Sequence, residues 1–113
     1  MRGYVPDAGD VVWIDFAPQI GHEQAGRRPA VVLSPRIYNE KAGLAVLCPV
    51  TSQVKNYPFE VQLPAGSKIR GAILADQLKS VDWRQRRAKK FGSTSPAILG
   101  QVRQRIAALI GLL

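Results

Sequence analysis

Apolar side chains are grouped along the chain in short runs, and most of these runs predict β-strands. Asp10–Phe16 and residues 29–34 are apolar on both faces, which predicts two strands, the first of them covered on both sides. A molecule this small cannot cover all of this apolar surface internally, so part of it is expected near an interface with a second copy of the chain. Residues 59–63 alternate instead, which predicts a half-buried strand with Glu60 and Gln62 facing outward. Three further strands are predicted at Leu44–Thr51, residues 71–75 and residues 78–83.

Proline and glycine indicate where this pattern is interrupted. Pro29 suits the first position of its strand, where a missing N–H is tolerated. Pro49 inside the third strand predicts an edge or a bulge, with the ladder breaking just before Thr51. Residues 17–26 form a predicted loop that is longer than an ordinary hairpin connection, and such loops often carry function.

Helical spacing is clearest near the end of the chain. A short helical turn is predicted at residues 35–41, followed by a stop at Gly43. Ser95 is a good N-cap and Pro96 suits the first helical position. Apolar residues then recur at helical intervals and should pack on the sheet or on a partner: Ile98, Leu99, Val102, Ile106, Leu109, Ile110 and Leu113. Short strands with one terminal helix predict a strongly bent antiparallel sheet or a small barrel.

Length and composition limit the possible classes of protein. The 113 residues fit one domain, 1–113, and no apolar run approaches the eighteen or so residues of a membrane span. The N-terminus lacks the apolar core of a signal peptide. Cys48 is the one cysteine, and an internal disulfide needs two. These features indicate a cytosolic protein in which Cys48 is a buried, inert thiol.

Charge favours a polyanionic partner. Sixteen Lys and Arg residues against eight Asp and Glu residues give a formal net charge of +8, and no acidic residue follows Asp82. Nucleic acid, an anionic membrane or an acidic protein would match this excess, whereas a merely soluble basic surface is the simpler alternative. Residues 83–91 interleave Trp83 and Phe91 with cations, a pattern that suits single-stranded nucleic acid. The alternative is a solvated basic turn whose two aromatic rings are anchored in the core.

Glu23, Arg28 and Thr51 form the one set of residues whose chemistry would suit RNA cleavage. Attack by the 2′-hydroxyl of RNA needs a base, which a loop carboxylate can supply. It also needs positive charge on the phosphate, for which an arginine offers a bidentate fork, and a hydroxyl can bond a non-bridging oxygen. A surface ion pair and an ordinary strand-end threonine are the alternatives. His22 is expected to be a solvated loop residue, and no cluster of ligands predicts a metal.

A family resemblance is carried by short motifs in order along nearly the whole chain. The motifs are Tyr4-Val5-Pro6-Asp7, Gly9-Asp10, Glu23-Gln24-Ala25-Gly26, Arg28-Pro29-Ala30-Val31-Val32-Leu33-Ser34-Pro35, Tyr38-Asn39, the positions Pro49, Thr51 and Gln53, Tyr57-Pro58-Phe59-Glu60-Val61, Leu74-Ala75-Asp76-Gln77, Lys79-Ser80 and Trp83-Arg84. Together they resemble the MazF/PemK toxins. The resemblance implies a mainly β fold with α, an SH3-like small antiparallel barrel with a C-terminal helix, which works as a homodimer.

The resemblance also implies a function. The family consists of metal-independent, sequence-specific endoribonucleases that cut single-stranded RNA and leave a 2′,3′-cyclic phosphate and a 5′-hydroxyl. They need no cofactor and are neutralised by an acidic MazE-type antitoxin, which would occupy the same basic groove. Glu23, Arg28 and Thr51 match the catalytic positions, although which of Glu23 and Arg28 transfers the proton stays open. The RNA-binding candidates are Phe16, Arg27, Lys55, Asp76, Gln77, Lys79, Arg84 and Arg86.

The first loop departs from the best-known member of the family, and two alternative functions remain. Ala17, Gln19, Ile20 and His22 replace other residues there, so the cleavage motif cannot be carried over. A CcdB-like gyrase poison would share the fold, but that activity is associated with a tryptophan near the C-terminus, and this chain ends Ile-Gly-Leu-Leu. A non-catalytic nucleic-acid-binding module would not need Glu23, Arg28 and Thr51 together.

Overall fold

A computed structural model describes residues 3–16 and 26–112 of the chain. Strands dominate this part of the molecule, and one long helix follows them. In chain order the elements are β1 (Asp10–Phe16), β2 (Gly26–Val32), α1 (Arg36–Ala42), β3 (Leu44–Thr51), β4 (Glu60–Gln62), β5 (Ala72–Leu74), a short 3-10 helix (Ala75–Gln77), β6 (Lys79–Asp82), β7 (Lys89–Ser93) and α2 (Pro96–Leu109).

The strands form one strongly bent antiparallel sheet in the order β4-β5-β3-β2-β1-β7, and β6 pairs separately with β3. β3 bends the sheet because it changes neighbours along its length. Its first half pairs with β6, whereas Val50 and Thr51 pair with β5. The described strands curl around a core without closing into a complete ring. This arrangement confirms the predicted barrel-like, mainly β fold with a C-terminal helix.

Two clusters of buried side chains lie on the two faces of this sheet. Alternate residues of β1 enter different clusters: Val12 and Ile14 pack on one face, and Val11 packs on the other. The first cluster includes Trp83, whose indole N–H donates to the Asn39 carbonyl at 2.9 Å. The second cluster lies beneath the first turns of α2. β1 is therefore covered on both sides, as predicted, with Trp13 as its one exposed side chain.

Both prolines lie in positions that differ from the prediction. β2 begins at Gly26, so Pro29 lies inside the strand, opposite Trp13. It is tolerated there because the ladder from β2 to β3 begins only at Ala30. Pro49 is buried in a central strand opposite Ala30, so the expectation of an edge was wrong. The ladder with β2 ends at Pro49, as the expected break before Thr51 requires, whereas Val50 and Thr51 continue the strand by pairing with β5.

Two strand predictions failed at charged residues. Glu60 was expected to face outward, but it is buried because its carboxylate accepts backbone N–H groups from Lys55 and Tyr57. β7 was not predicted at all, because its sequence begins with two lysines and contains a glycine. It pairs with β1, and the bulge between Val11 and Val12 adjusts the register.

The helices follow the predicted start and stop signals. α1 ends at Gly43, which adopts the left-handed conformation expected of a stop (φ 70°). Ser95 caps α2, where its hydroxyl accepts the Ile98 N–H at 3.2 Å. The apolar stripe divides into two parts. Its first residues are buried against the sheet, whereas Leu109 and Ile110 are 42% and 60% exposed. Leu113 lies outside the described residues.

Candidate functional site

Phe16 and Arg28 lie on the same face of two neighbouring strands. Arg28 is opposite Ile14 in the ladder between β1 and β2, and Phe16 follows Ile14 by two residues. Because residues two apart along a strand share a face, all three point toward the first cluster. Phe16 is buried, whereas Arg28 is only partly buried at the entrance of β2. This end of the first cluster therefore carries a guanidinium group beside an aromatic ring.

Thr51 lies at the corresponding end of β3. Arg28 lies two residues before Ala30, and Thr51 lies two residues after Pro49, the partner of Ala30, so both lie at the same end of these antiparallel strands, beyond the last pair of their ladder. Thr51 is the last residue of β3 and is buried. Its Oγ1 accepts the Gln53 backbone N–H at 3.1 Å, which orients the side chain. A hydroxyl that already accepts one bond can still donate its own hydrogen, so Thr51 can act as a donor to a substrate oxygen.

A cleft of about 620 Å³ opens beside Thr51. Three of the predicted RNA-binding residues line it, namely Lys55, Asp76 and Gln77. Lys55 comes from the exposed loop after β3, whereas Asp76 and Gln77 come from the short 3-10 helix after β5. The change of partner along β3 is what brings these segments together, because Thr51 pairs with Ala72, the first residue of β5. Thr51 and these three candidates therefore share one site.

Lys79 contacts the ring of Phe16. It lies on β6 opposite Leu47, and its Nζ is 5.4 Å from the centre of the Phe16 ring. A cation at this distance from an aromatic ring is in the range of a cation–π contact. Lys79 thus adds positive charge to the face that carries Phe16 and Arg28.

Arg27 faces away from Arg28, because adjacent residues of a strand point to opposite faces. Its Nη1 is 2.9 Å from Asp15 Oδ1, and its Nη2 donates to the Arg87 carbonyl. Arg87 Nε is 2.8 Å from the other oxygen of Asp15. The hydrogen bond from Arg87, and then that from Arg27, lowers the pKa of the Asp15 carboxyl below its ordinary value. Arg27 therefore belongs to an ion-pair cluster and does not line the cleft.

Arg84 and Arg86 lie in the turn between β6 and β7, away from the residues that line the cleft. The Arg84 guanidinium lies 4.7 Å from the centre of the Trp83 ring. Arg86 bonds to β1 through both its side chain and its carbonyl, since Nη1 donates to the Asp15 carbonyl and the Asp15 N–H donates to Arg86. These contacts fasten the basic turn to the end of β1.

The aromatic residues of the segment 83–91 pack within the protein. Trp83 is 4% exposed and belongs to the first cluster. Phe91 is partly buried and stacks on Trp13 with the ring centres 4.8 Å apart. Of the two interpretations of this segment, a solvated basic turn with anchored aromatic rings describes it better than a row of free stacking platforms.

Several sequence predictions concern residues that the structure does not describe. Glu23, His22 and the substituted positions of the first loop all fall within residues 17–25, outside the described residues. Within residues 3–16 and 26–112, no group of three or more His, Cys, Asp or Glu side chains is arranged to hold a metal ion. Cys48 is buried, and burial raises the pKa of its thiol to about 12, as an inert thiol requires. Glu60 lines the cleft but was not among the predicted site residues, because the alternating pattern placed it outward; its position in the motif Tyr57-Pro58-Phe59-Glu60-Val61 was the one signal that could have found it.

Comparison with known proteins identifies the family. A family model for PemK-like, MazF-like toxins of type II toxin–antitoxin systems matches residues 7–110. This chain belongs to that family. It is 53% identical over 108 residues to the endoribonuclease toxin MazF of Escherichia coli K12, with 96% of each chain covered. It is 32% identical over 110 residues to the E. coli endoribonuclease toxin ChpB, with 92% of this chain and 93% of ChpB covered.

Solved structures of MazF proteins match this PemK/MazF-like toxin over nearly its whole length. MazF from Deinococcus radiodurans is 53% identical with a TM-score of 0.92, and 96% of this chain and 99% of that chain are covered. A MazE–MazF complex from the same organism matches with a TM-score of 0.89 and 52% identity, covering 98% and 100% of the two chains. In the described part of this toxin, no helix is long and apolar enough to cross a membrane.

Proposed function

We propose that this toxin cleaves single-stranded RNA at the cleft beside Thr51, with Glu23, Arg28 and Thr51 as its catalytic residues. Membership of the family and the high identity to an endoribonuclease MazF make the chain an endoribonuclease toxin rather than a gyrase poison or a passive binding module. The observation that carries the proposed site is the register of β2 and β3, which directs Arg28 and Thr51 to the same end of one face. The polar cleft beside them supplies room for the substrate.

Attack by the 2′-hydroxyl on the adjacent phosphorus forms a 2′,3′-cyclic phosphate. Glu23 accepts the hydroxyl proton as a general base, while the bond from phosphorus to the 5′-oxygen breaks and that oxygen takes a proton from water. The Arg28 fork stabilises the additional charge on the phosphate oxygens, since its very high pKa makes it a poor proton donor. Thr51 donates its hydroxyl hydrogen to a non-bridging oxygen. The nucleophile comes from the substrate, so this mechanism uses no metal.

The remaining candidates divide by position. Lys79 offers a cation on the Arg28 face, which suits a phosphate, and the Phe16 ring supports Lys79 from the first cluster. Lys55 contacts the backbone phosphates, and Asp76 and Gln77 contact base edges in the cleft. The guanidinium groups of Arg27, Arg84 and Arg86 have protein partners, so they contribute to the long-range potential. The RNA sequence that the toxin prefers at the cleavage point depends on these side chains and on the first loop.

The same basic surface suits an acidic antitoxin. The net charge of +8 favours an acidic MazE-type protein that covers the cleft and competes with RNA. The D. radiodurans relative has been solved as a MazE–MazF complex. We place this toxin in the cytoplasm, where cutting mRNA stops translation and growth, and we assign residues 1–113 to a single toxin domain that works as a homodimer.

The experiment that tests the proposal maps the cut ends of RNA. Purified toxin is incubated with a long, weakly structured RNA in excess EDTA, and the new 5′ ends are sequenced and tested for direct labelling by polynucleotide kinase. Cuts at a recurring motif with 5′-hydroxyl ends are expected, and Arg28→Ala and Thr51→Ala should remove them. Cleavage that requires magnesium, or 5′-phosphate ends, would refute this mechanism.

A further inference from the structure

Glu60 is a buried carboxylate in the cleft wall that the proposed mechanism does not use. It is 8% exposed and lies at the start of β4, where it lines the cleft together with Thr51, Lys55 and Asp76. A buried carboxylate is costly unless its oxygens accept hydrogen bonds. The partners of Glu60 therefore indicate what it does.

Both oxygens of Glu60 bond the loop that carries Lys55. The Lys55 backbone N–H donates to Oε1 at 3.0 Å and to Oε2 at 3.3 Å, and the Tyr57 N–H lies 3.4 Å from Oε1. The Glu60 N–H in turn donates to the Tyr57 carbonyl at 2.9 Å. Bonds from backbone donors to a carboxylate are stronger than neutral hydrogen bonds. One side chain thus binds two of the three successive residues 55–57.

The loop itself needs such support. Residues 52–58 are all exposed, so little packing holds them. Asn56, between the two donors, adopts a left-handed conformation (φ 56°), which is uncommon for a residue other than glycine. The bonds to Glu60 stabilise this reversal and set where the Lys55 side chain enters the cleft.

We infer that Glu60 is a positioning residue for the substrate: it fixes the loop 52–58 so that Lys55 meets the RNA backbone. This inference rests on the proposed function. We assign Glu60 to holding the loop rather than to proton transfer, because its oxygens accept the loop N–H groups. Its contribution therefore falls on KM for RNA, while kcat depends on the groups at the reacting phosphate.

The negative charge of Glu60 and its positioning role predict opposite changes in RNA affinity when Glu60 is replaced. Removing a negative charge from a site that binds a polyanion should by itself tighten RNA binding. Loss of a positioning residue should weaken it. We expect Glu60→Ala to raise KM roughly tenfold, the factor for hydrogen bonds to a charged group, with kcat unchanged. Glu60→Gln keeps an acceptor oxygen and should restore most of the affinity.

The neighbouring Gln62 provides a matched control. It lies on the same strand, is exposed and bonds Asn56 of the same loop through its side chain at 2.8 Å. Gln62→Ala removes this solvent-exposed contact and should leave KM unchanged. Melting temperatures of all variants are measured, and Glu60→Gln provides the comparison should Glu60→Ala not fold.

A double-mutant cycle with Lys55→Ala tests whether Glu60 changes KM through Lys55. If Glu60 acts through Lys55, Glu60→Ala should change KM little once Lys55 is absent, and the two changes should not add. An unchanged or lower KM for Glu60→Ala, or fully additive effects, would overturn the inference while leaving the proposed function intact. Wild-type toxin that leaves RNA uncut would instead refute the proposed function.

Discussion

Arg27 and Arg28 are neighbours in the sequence, but β2 sends their side chains to opposite faces of the sheet. Arg27 is held by Asp15 and by the Arg87 carbonyl. Arg28 shares a face with Ile14 of the first cluster, at the end of the sheet where β3 also ends. Two equal charges one residue apart therefore have different surroundings. Replacing each arginine in turn can separate the effect of charge from the effect of position.

Replacing Arg28 should reduce turnover far more than replacing Arg27. Arg28→Ala removes the fork aimed at the reacting phosphate, which by analogy with lost oxyanion donors costs roughly 10²–10³ in kcat. Arg28→Lys should restore little, because a point charge does not reproduce a bidentate group. Arg27→Ala should weaken RNA binding only modestly. Turnover and thermal melting of the three variants test this; equal losses for Arg27→Ala and Arg28→Ala in folded proteins would show that the site assignment is wrong.

Asp15 should make stability depend on pH in the acid range. Arg87 and Arg27 lower the pKa of its carboxyl from the ordinary value of 3.8, so the folded protein favours the ionised form. Stability from this group is then fully present above pH 3.8 and is lost as the pH falls through the lowered pKa. Asp15→Asn should melt below wild type at pH 7, and the difference should shrink below pH 3.8. A difference that stays constant across this range would contradict the ion-pair account.

At the scale of elements, the end of β3 is placed by its contact with the start of β5. Gly71 immediately precedes β5 and has a φ of +122°, which other residues rarely adopt. A Cβ added there would overlap the Thr51 carbonyl oxygen and lie 2.9 Å from its carbon. Only glycine therefore lets β5 approach the strand end that carries the Thr51 hydroxyl.

Gly71→Ala should accordingly reduce activity through Thr51. A shift of about 1 Å in a reacting group can cost on the order of 10²-fold in rate, so a comparable loss in kcat is expected. Gly66 is the matched control, since its φ is also positive (+88°) but an added Cβ meets no atom within 4 Å. Gly66→Ala should lose about 1–2 kcal/mol of stability from backbone strain and keep its activity. Equal activity losses in the two variants would mean that strain alone is responsible.

The elements that the sequence predicted well are those in which local signals agree. β1 and β3 have the predicted bounds, and Ser95 and Gly43 mark helix ends through their own caps. β7 was missed because its lysines and glycine carry no strand signal, and pairing with β1 is what makes it a strand. Glu60 was misplaced because its burial depends on backbone donors supplied by a loop.

The same difference between local signals and long-range pairing decides which site residues could be predicted. Arg28, Thr51, Asp76 and Gln77 stand in family motifs, and the topology brings Thr51, Asp76 and Gln77 to one cleft. The partners of Arg27 could not be predicted from the sequence, because Arg87 approaches from sixty residues away. Long-range pairing of this kind leaves no local pattern.

At the scale of the whole molecule, only some of the basic residues should contact RNA. Lys90 is paired with Asp10 at 3.2 Å, whereas Lys55 lines the cleft. RNA affinity should fall with salt at a log–log slope of about −0.7 per phosphate neutralised. Lys55→Ala should reduce this slope by about 0.7, and Lys90→Ala should leave it unchanged. Binding measured between low and moderate salt checks this; a flat response in wild type would assign the basic surface to the antitoxin alone.

The exposed apolar surface that could form a homodimer interface lies on α2 rather than on the strands. We expected β1 and β2 to leave apolar surface uncovered, but within β1 only Trp13 is exposed. The end of α2 differs, since Leu109, Ile110 and Leu112 expose 42%, 60% and 73% of their surfaces close together in the chain. Contiguous exposed apolar residues mark interaction surfaces. The dimer interface is therefore predicted to include this end of the helix.

Ile110→Lys should weaken the dimer without unfolding the protomer. A cation at the C-terminal end of a helix is favourable for the helix, whereas burying it in an apolar interface should raise the dimer dissociation constant roughly a hundredfold. Ile37 on α1 is 65% exposed, and Ile37→Lys adds the same charge elsewhere as a control that should leave the dimer intact. Light scattering at micromolar concentration, with melting curves for both variants, tests this. A monomeric wild type would refute the dimer, and dissociation in Ile37→Lys alone would move the interface from α2 to α1.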